Sequence, residues 1–242
     1  MTNEISVKKE TAIAAANAPQ RGFENGITQE DLIIPRAKLI QALSPEMTEG
    51  LEGVKVGAII NSLTKEVLPQ EFIPVFMFKN FIRFNPRSKD DPNFDPEYEP
   101  GAVIWKSTNP EDPRVAEQTK FGPSGEKPVA TTFLNFFSYF PGVPMPVIVS
   151  FSKTSYKAGR QLLSLAKFCG GDMFSRKYRL VSQMETNDIA TYAVMKVAPA
   201  GAASPDEFKL CERLWNEFSA KAKDIQVHDA ETADETEEAR PY

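Results

Sequence analysis

Cations and aromatic rings alternate in the segment FKNFIRFNPRSK. In an extended strand, Lys79, Phe81 and Arg83 point to one side and Phe84 to the other, and Arg87 continues the basic character beyond the strand. This combination suits single-stranded nucleic acid, because bases stack on rings for about 1 to 3 kcal/mol each while cations follow the phosphates. A half-buried strand with a solvated basic face explains the same pattern, and the sequence leaves both interpretations open.

A second group of cations occupies residues 151 to 180, where seven lysines and arginines stand against one aspartate, a local net charge of +6. Four of them recur at helical spacing and predict one stripe on a helix. These are Lys153, Lys157, Arg160 and Lys167. Arg176 and Lys177 extend the positive field beyond the helix. The stripe is either a solvated helix face or a surface for a polyanion, and its coincidence with the aromatic strand favours the polyanion.

Aromatic residues are concentrated between residues 133 and 140, five in eight positions. Strand alternation places Phe133, Asn135, Phe137 and Tyr139 on one face. One face of this strand must belong to the core, and the other either packs against a further layer or forms a platform for stacked bases. Phe137 and Tyr139 are therefore candidate stacking rings, and Trp105, which a lysine follows, is another.

The end of the chain has the opposite charge. Residues 224 to 242 contain seven carboxylates and one arginine, a local net charge of −6, whereas the whole chain has a net charge of −5. This composition is typical of a disordered solubilising extension, but a tethered polyanion can also occupy a basic groove until nucleic acid displaces it. The tail residues predicted to contact partner proteins are Asp234, Glu235, Glu237, Glu238 and Tyr242.

The sequence contains no recognisable set of catalytic or metal-binding residues. The one histidine, His228, lies in the acidic tail, and the two cysteines, Cys169 and Cys211, fall in separate helical patterns without a metal-binding spacing. We therefore predict no catalytic residues, no metal site and no cofactor. The chain has neither a run of about 20 apolar residues nor a signal-like start, so we expect a cytoplasmic protein without a membrane partner.

Short β-like runs separated by proline and glycine dominate the chain. We predict a flexible N-terminal arm (1–27), a β-rich domain (28–203), a C-terminal helix (204–223) and a disordered acidic tail (224–242). One helix inside the β domain precedes its last strands, and a capping box marks the start of the C-terminal one. This order predicts a mainly β α+β protein with two helices, built as a five-stranded open barrel with insertions.

Three segments carry a resemblance to a known group of proteins. They are IIPRAKLIQALSPE from Ile33, FNPR from Phe84 and PVIVSFSKTS from Pro146. They resemble tailed-bacteriophage proteins associated with replication, and the overall plan is similar to the OB-fold single-stranded DNA-binding proteins of T7-like phages, which end in an acidic tail. The terminal Arg-Pro-Tyr departs from the Asp-Phe ending of that group.

The resemblance implies a non-catalytic protein that binds single-stranded DNA in phage DNA replication or recombination, inside the infected bacterial cell. It also implies that the tail contacts phage replication enzymes. Two other classes stay open: an interaction protein or nucleic-acid mimic that binds an enzyme through Phe208, Trp215 and the tail, and a small virion or assembly component. An enzyme is the weakest alternative. The oligomeric state does not follow from the sequence.

Overall fold

The computed structural model describes residues 33–187 and 190–221. The predicted N-terminal arm (1–27) and the acidic tail (224–242), with all of its proposed partner-binding residues, lie outside the described residues. Within the described part of the chain, no helix is long and apolar enough to span a membrane.

Eight strands and three α-helices form in the described residues. The strands are β1 (Ala37–Leu39), β2 (Ile59–Asn61), β3 (Glu71–Phe84), β4 (Val103–Ser107), β5 (Thr131–Tyr139), β6 (Val147–Phe151), β7 (Arg176–Thr186) and β8 (Thr191–Ala202). The helices are α1 (Pro113–Gln118), α2 (Tyr156–Phe168) and α3 (Pro205–Phe218). Short 3-10 turns lie at Pro45–Met47, Lys153–Ser155, Met173–Ser175 and Ser219–Lys221.

The main sheet has six strands, in the order β6-β5-β3-β7-β8, with β4 paired to β3. All of these pairs are antiparallel. β3 organises the sheet because it is long enough to pair with β7 at its start and with β5 and β4 further along. β1 and β2 form a separate ribbon, which a parallel bridge from Arg36 to Ile148 connects to the edge strand β6.

Helices cover both faces of the sheet. On one face, α2 buries Leu162 among Phe136 and Phe151, together with other residues of the larger core. On the other face, Phe218 of α3 packs against Phe137 in a second core. A fully buried aromatic or aliphatic side chain contributes about 1.5 to 3 kcal/mol, so two such cores hold a three-layer arrangement of helix, sheet and helix.

Local sequence explains why both long helices form where they do. α3 begins with the predicted capping box: the Ser204 hydroxyl accepts from the Glu207 amide while the Glu207 carboxylate accepts from the Ser204 amide. α2 has four buried residues at helical spacing, and Gly170 with Gly171, both at positive φ, follow its end. The predicted helix before the last strands and the predicted C-terminal helix are thus both confirmed.

The mainly β, α+β class is confirmed. The count of two helices is wrong, because the short helix α1 also forms, where the sequence predicted no helix; Asp112 caps it by accepting from the Arg114 amide. The strands close no barrel within the described residues, and the main sheet has six strands rather than five. Helices on both faces bury the apolar surface of the sheet without closure. An OB fold therefore stays a prediction.

Candidate nucleic-acid interface

The position of α2 is fixed by an unusually close approach to the sheet. A Cβ atom on Gly159 would lie 2.6 Å from Cβ of Phe151 on β6, which is closer than packed side chains allow. Ala158, Leu162 and Ala166 are buried on the same side of the helix. Because Ala158, Gly159 and Ala166 are small, the helix axis lies close to the sheet, and Leu162 fills the space between them. The opposite side of α2 therefore faces outward.

The outward side of α2 carries the predicted basic stripe. Lys157, Arg160 and Lys167 are all exposed, as are the polar residues between them. The helix contains no acidic residue, and no carboxylate of the described residues forms an ion pair with these three cations. The stripe ends at Phe168, whose side chain is 86% exposed. This face offers cations and a ring on one rigid element.

Lys153 lies just before the helix, in the turn between β6 and α2. It is half-buried and has a φ of 45°, a left-handed conformation that is uncommon for lysine. Lys153 begins the short 3-10 turn Lys153–Ser155 that joins β6 to α2. Lys153 is therefore set apart from the straight stripe of α2, although the sequence spacing predicted that all four cations share one helix face.

The alternation predicted for β3 is observed. Lys79 pairs with Leu134, and Leu134 pairs with Phe151, so Lys79 lies in the row of the sheet that passes beneath α2. Neighbouring strands are about 4.8 Å apart, which places the backbone of Lys79 about 10 Å from that of Phe151. Lys79 is exposed and Arg83 is half-buried on the same side. These two cations thus share a sheet face with α2.

The ring of Phe81, between Lys79 and Arg83 on β3, is covered by other side chains. Phe81 is only 5% exposed and packs with Trp105, Val115 and Ala130 in a small third core beneath α1. Phe81 therefore offers no open face to a base in this structure, because α1, which the sequence did not predict, occupies that side.

Trp105 is held in the same core. It is 8% exposed, its Nε1 donates to Oε1 of Gln118 at 3.1 Å, and the guanidinium of Arg114 lies 5.1 Å from its ring centre. Asp112 in turn holds Arg114 by a 2.8 Å ion pair, and this arginine with other hydrogen bonds lowers the pKa of Asp112 to about 2. The face of Trp105 that a base would use is thus occupied by a cation of the chain itself.

Phe137 and Tyr139 lie on the opposite face of the sheet, under α3. Phe137 is fully buried between Phe76, at 4.7 Å between ring centres, and Phe218, at 5.2 Å. Tyr139 is half-buried. Its pKa is raised mainly by burial and further by the nearby charge of Glu207. Both rings act as packing residues between the sheet and α3, which is one of the two roles that the sequence left open for them.

Two further candidates lie at the end of β3. Phe84 is half-buried and meets Phe133 edge-on at 6.3 Å, on the face away from Lys79. Arg87 is half-buried in the loop that follows. Asn85 anchors this loop, since its side-chain amide donates to the carbonyl oxygens of Asp95 and Tyr98 at 2.9 and 2.8 Å. This loop is therefore ordered by an asparagine that the sequence analysis did not single out.

The last two candidates lie at the start of β7. Arg176 is exposed. Lys177 lies between two carboxylates, 3.8 Å from Glu71 on β3 and 3.6 Å from Glu207 on α3. Lys177 therefore links β3 and α3, and these partners offset much of its charge.

The structure thus brings together only part of the predicted set. Lys79, Arg83 and the α2 stripe share one side of the sheet, whereas Phe137 and Tyr139 lie on the other. One exposed ring that the sequence did not single out is Phe168, at the end of the α2 stripe. Its signal was present in the spacing, since Phe168 lies eleven residues after Lys157 and so falls on the same helix face.

No cluster of histidine, cysteine, aspartate or glutamate that could hold a metal occurs among the described residues. Cys211 is fully buried, and burial with the charge of Glu207 raises the pKa of its thiol to about 12, so it stays protonated. Cys169 is exposed at the end of α2.

An α+β protein with a basic helix laid on an antiparallel sheet is the class that these observations define. A family of bacteriophage proteins, the Pam3 phage gp34-like proteins, matches residues 6–224. The chain belongs to this family, and the prediction of a bacteriophage protein is confirmed. Searches among curated proteins and among solved structures found no match.

Proposed function

We propose that this phage protein binds single-stranded DNA without catalysing a reaction, and that the outward face of α2 is the centre of its binding surface. The observation that carries the proposal is the combination of Lys157, Arg160 and Lys167 with the exposed ring of Phe168 on one helix. Cations at these positions follow successive phosphates, and the ring stacks on a base. The phage family supports this setting, since replication and recombination of phage genomes expose single strands.

The proposed surface differs from the one that the sequence suggested. Lys79 and Arg83 extend it across the sheet, whereas Phe81, Trp105 and Phe137 support the fold. The relation to OB-fold single-stranded DNA-binding proteins, the cytoplasmic location in the infected cell and the contact of the tail with replication enzymes belong to this same proposal.

The test is a titration of fluorescent oligo-dT with the full chain at two salt concentrations, with duplex DNA as competitor. We expect preference for the single strand and a loss of affinity with salt, with a slope of about −0.7 for each phosphate neutralised. The triple variant Lys157→Gln/Arg160→Gln/Lys167→Gln should weaken binding and make the slope shallower by about 2, because three phosphate contacts are lost.

A matched variant controls for net charge. Lys55, Lys89 and Lys120 are exposed lysines of loops outside α2, and changing all three to glutamine removes the same charge. If this control and the α2 variant lose affinity equally, the binding surface is not α2. If the unmodified protein does not retard oligo-dT at low salt, the proposed function itself is wrong.

The acidic tail is proposed to compete with DNA for the same cations. Removing residues 224–242 should tighten binding to oligo-dT, and most strongly at low salt, because both contacts are electrostatic. Equal affinity of the full and truncated chains at every salt concentration would contradict this competition.

One observation favours a second candidate function, the binding of a partner protein through α3. The apolar residues of α3 are only partly buried: Cys211 and Phe218 are buried, but Trp215 is 44% exposed. Tryptophan is enriched where proteins bind one another. A chain that co-sediments with a phage replication enzyme but does not bind oligo-dT would support this function instead.

A further inference from the structure

The hairpin of β7 and β8 extends beyond the strand that lies beside it. β3 pairs with β7 only near the start of both strands, and just past this pairing the amide of Leu180 donates to the carbonyl oxygen of Gln70 at 2.7 Å. Pro69 has no amide to donate, and Leu68 turns away to bond with β2. Residues 182–186 of β7 therefore have a strand on one side only within the described part of the chain.

The backbone groups on the other side of residues 182–186 form an open edge. Backbone groups of a strand in an antiparallel sheet point alternately to its two sides. Because the Leu180 amide faces the β3 side, the amides and carbonyls of Ser182, Met184 and Thr186 face that side too. No other described residue bonds to these groups. A row of unpaired N–H and C=O groups about 14 Å long is a template for another strand.

The opposite edge of the same hairpin is protected. On β8, the Gln41 side chain accepts from the Ala193 amide and donates to the Ala193 carbonyl oxygen, each at 2.9 Å, and Ser155 accepts from the Met195 amide at 3.2 Å. Proteins also protect edges with lysine, proline or a bulge. The open edge of β7 contains none of these three features. Its composition is therefore that of a strand that pairs.

The side chains along the open edge also suit a partner strand. Met184 is 47% exposed. Glu185 is the only acid of this edge, and it already pairs with Lys196 at 2.6 Å. Beside the inner end of the edge, a groove of about 260 Å³ separates β7 from the loop before β2, with Val56 and Val181 in its lining. A strand that pairs with this edge gains apolar contacts in addition to hydrogen bonds.

We propose that the open edge of β7 pairs with β7 of a second copy of this chain, antiparallel and about a two-fold axis at Met184. In this register Met184 lies opposite its own copy and Ser182 opposite Thr186, so every free N–H meets a free C=O in about six hydrogen bonds. Glu185 lies opposite Gln183, so no two carboxylates face each other. The edge is thus complementary to itself, and a two-fold axis closes the assembly at a dimer.

The test is sedimentation velocity of the full chain without DNA, from about 1 to 100 μM. We expect a dimer that increases with concentration and no larger assembly. Pairing of so short an edge buries less than the about 1,600 Å² of a standard interface, so the dimer should be weak. Met184→Lys should weaken it at least about ten-fold, because two ammonium groups then meet at the axis.

A matched control is available in the turn after β2. Leu63 is also 47% exposed and does not line the groove beside β7, so Leu63→Lys makes a similar change elsewhere on the surface. This variant should dimerise like the unmodified chain. Circular dichroism of both variants checks that the fold is intact.

Cross-linking tests the register. Opposite residues of a hydrogen-bonded antiparallel pair have Cα atoms about 5.5 Å apart, which a disulfide can span. Treated with diamide, Cys169→Ser/Met184→Cys should give a covalent dimer, whereas Cys169→Ser/Leu63→Cys should not. The change at residue 169 removes the exposed native thiol, and Cys211 is buried.

Three results would overturn the proposal: a chain that stays monomeric up to about 100 μM, equal weakening of the dimer by Met184→Lys and Leu63→Lys, or no cross-link through position 184. A monomer whose open edge binds an extended segment of another protein would overturn it as well.

The inference goes beyond DNA binding by α2 and does not depend on it. The Lys157→Gln/Arg160→Gln/Lys167→Gln variant should lose DNA affinity but dimerise like the unmodified chain. A chain that dimerises through β7 but does not bind oligo-dT would remove the proposed function and leave the dimer in place.

Discussion

Glu46 provides a direct test of how the ribbon of β1 and β2 is held. Its side chain is 2% exposed, and one carboxylate oxygen accepts hydrogen bonds from Lys38 and Lys65. Burial acts to raise the pKa of Glu46, but the hydrogen bonds from Lys65 and Lys38 outweigh it and lower the pKa from 4.5 to about 2. The folded protein therefore favours the ionised carboxylate.

The magnitude follows from the two pKa values. At about 1.4 kcal/mol per pH unit, a pKa of about 2 in the folded state against 4.5 in the unfolded state corresponds to about 3 kcal/mol of stability at neutral pH. Because the folded pKa is the lower one, this stability is fully present above pH 4.5 and is lost progressively as the pH falls towards 2. The variant Glu46→Gln should lack it at neutral pH.

The assay is urea unfolding of the full chain and of Glu46→Gln, followed by tryptophan fluorescence between pH 7 and pH 2.5. The difference in the free energy of unfolding should be about 3 kcal/mol at pH 7 and should shrink below pH 4.5, while the other acids affect both proteins alike. Glu185→Gln is the control, since Glu185 pairs with Lys196 at the surface and should contribute less than about 1 kcal/mol. A difference between the unmodified chain and Glu46→Gln that stays constant over this pH range would refute the reasoning.

Three substitutions test the placement of α2 and of the rings. Gly159→Ala should lower the free energy of unfolding by about 1 to 3 kcal/mol despite the better helix propensity of alanine, because the new methyl group meets Phe151. If urea unfolding shows a more stable variant, α2 can move away from the sheet without loss of stability, and the prediction is wrong. Phe137→Ala should cost about 3 to 5 kcal/mol in the same assay, because it leaves a cavity beside Phe218; a loss below 1 kcal/mol would contradict its core position. Phe168→Ala should change the free energy of unfolding by less than about 0.5 kcal/mol, because the ring is exposed. The same variant should weaken oligo-dT binding by about 1 to 3 kcal/mol in a fluorescence titration. Unchanged affinity for oligo-dT would exclude base stacking on this ring.

Local sequence was sufficient where a residue acts through its immediate neighbours. The capping box of Ser204 and Glu207 predicted the start of α3, and the spacing of Lys157, Arg160 and Lys167 predicted the exposed side of α2. Strand alternation correctly placed Lys79 and Arg83 on one side of β3. These features depend on residues within one helical turn or one strand, so they can be deduced without knowledge of the fold.

The fate of the aromatic rings depended on distant parts of the chain. Phe81 is covered by Trp105 and Val115, the latter from a helix that forms within a proline-rich, polar region. Phe137 is buried because α3, about 80 residues later in the chain, returns to cover its face of the sheet. Alternation shows which rings share a face but does not show what covers that face.

The sequence by itself determined the two long helices, the exposed cations of α2 and the mainly β class, because periodicity and capping are encoded by neighbouring residues. Only the tertiary structure decided that Phe81 and Trp105 are covered and that Lys177 is held between two carboxylates. Each of these results depends on which elements pack together over long separations along the chain. That choice is made by burial of the whole set of apolar residues and cannot be deduced from any one segment.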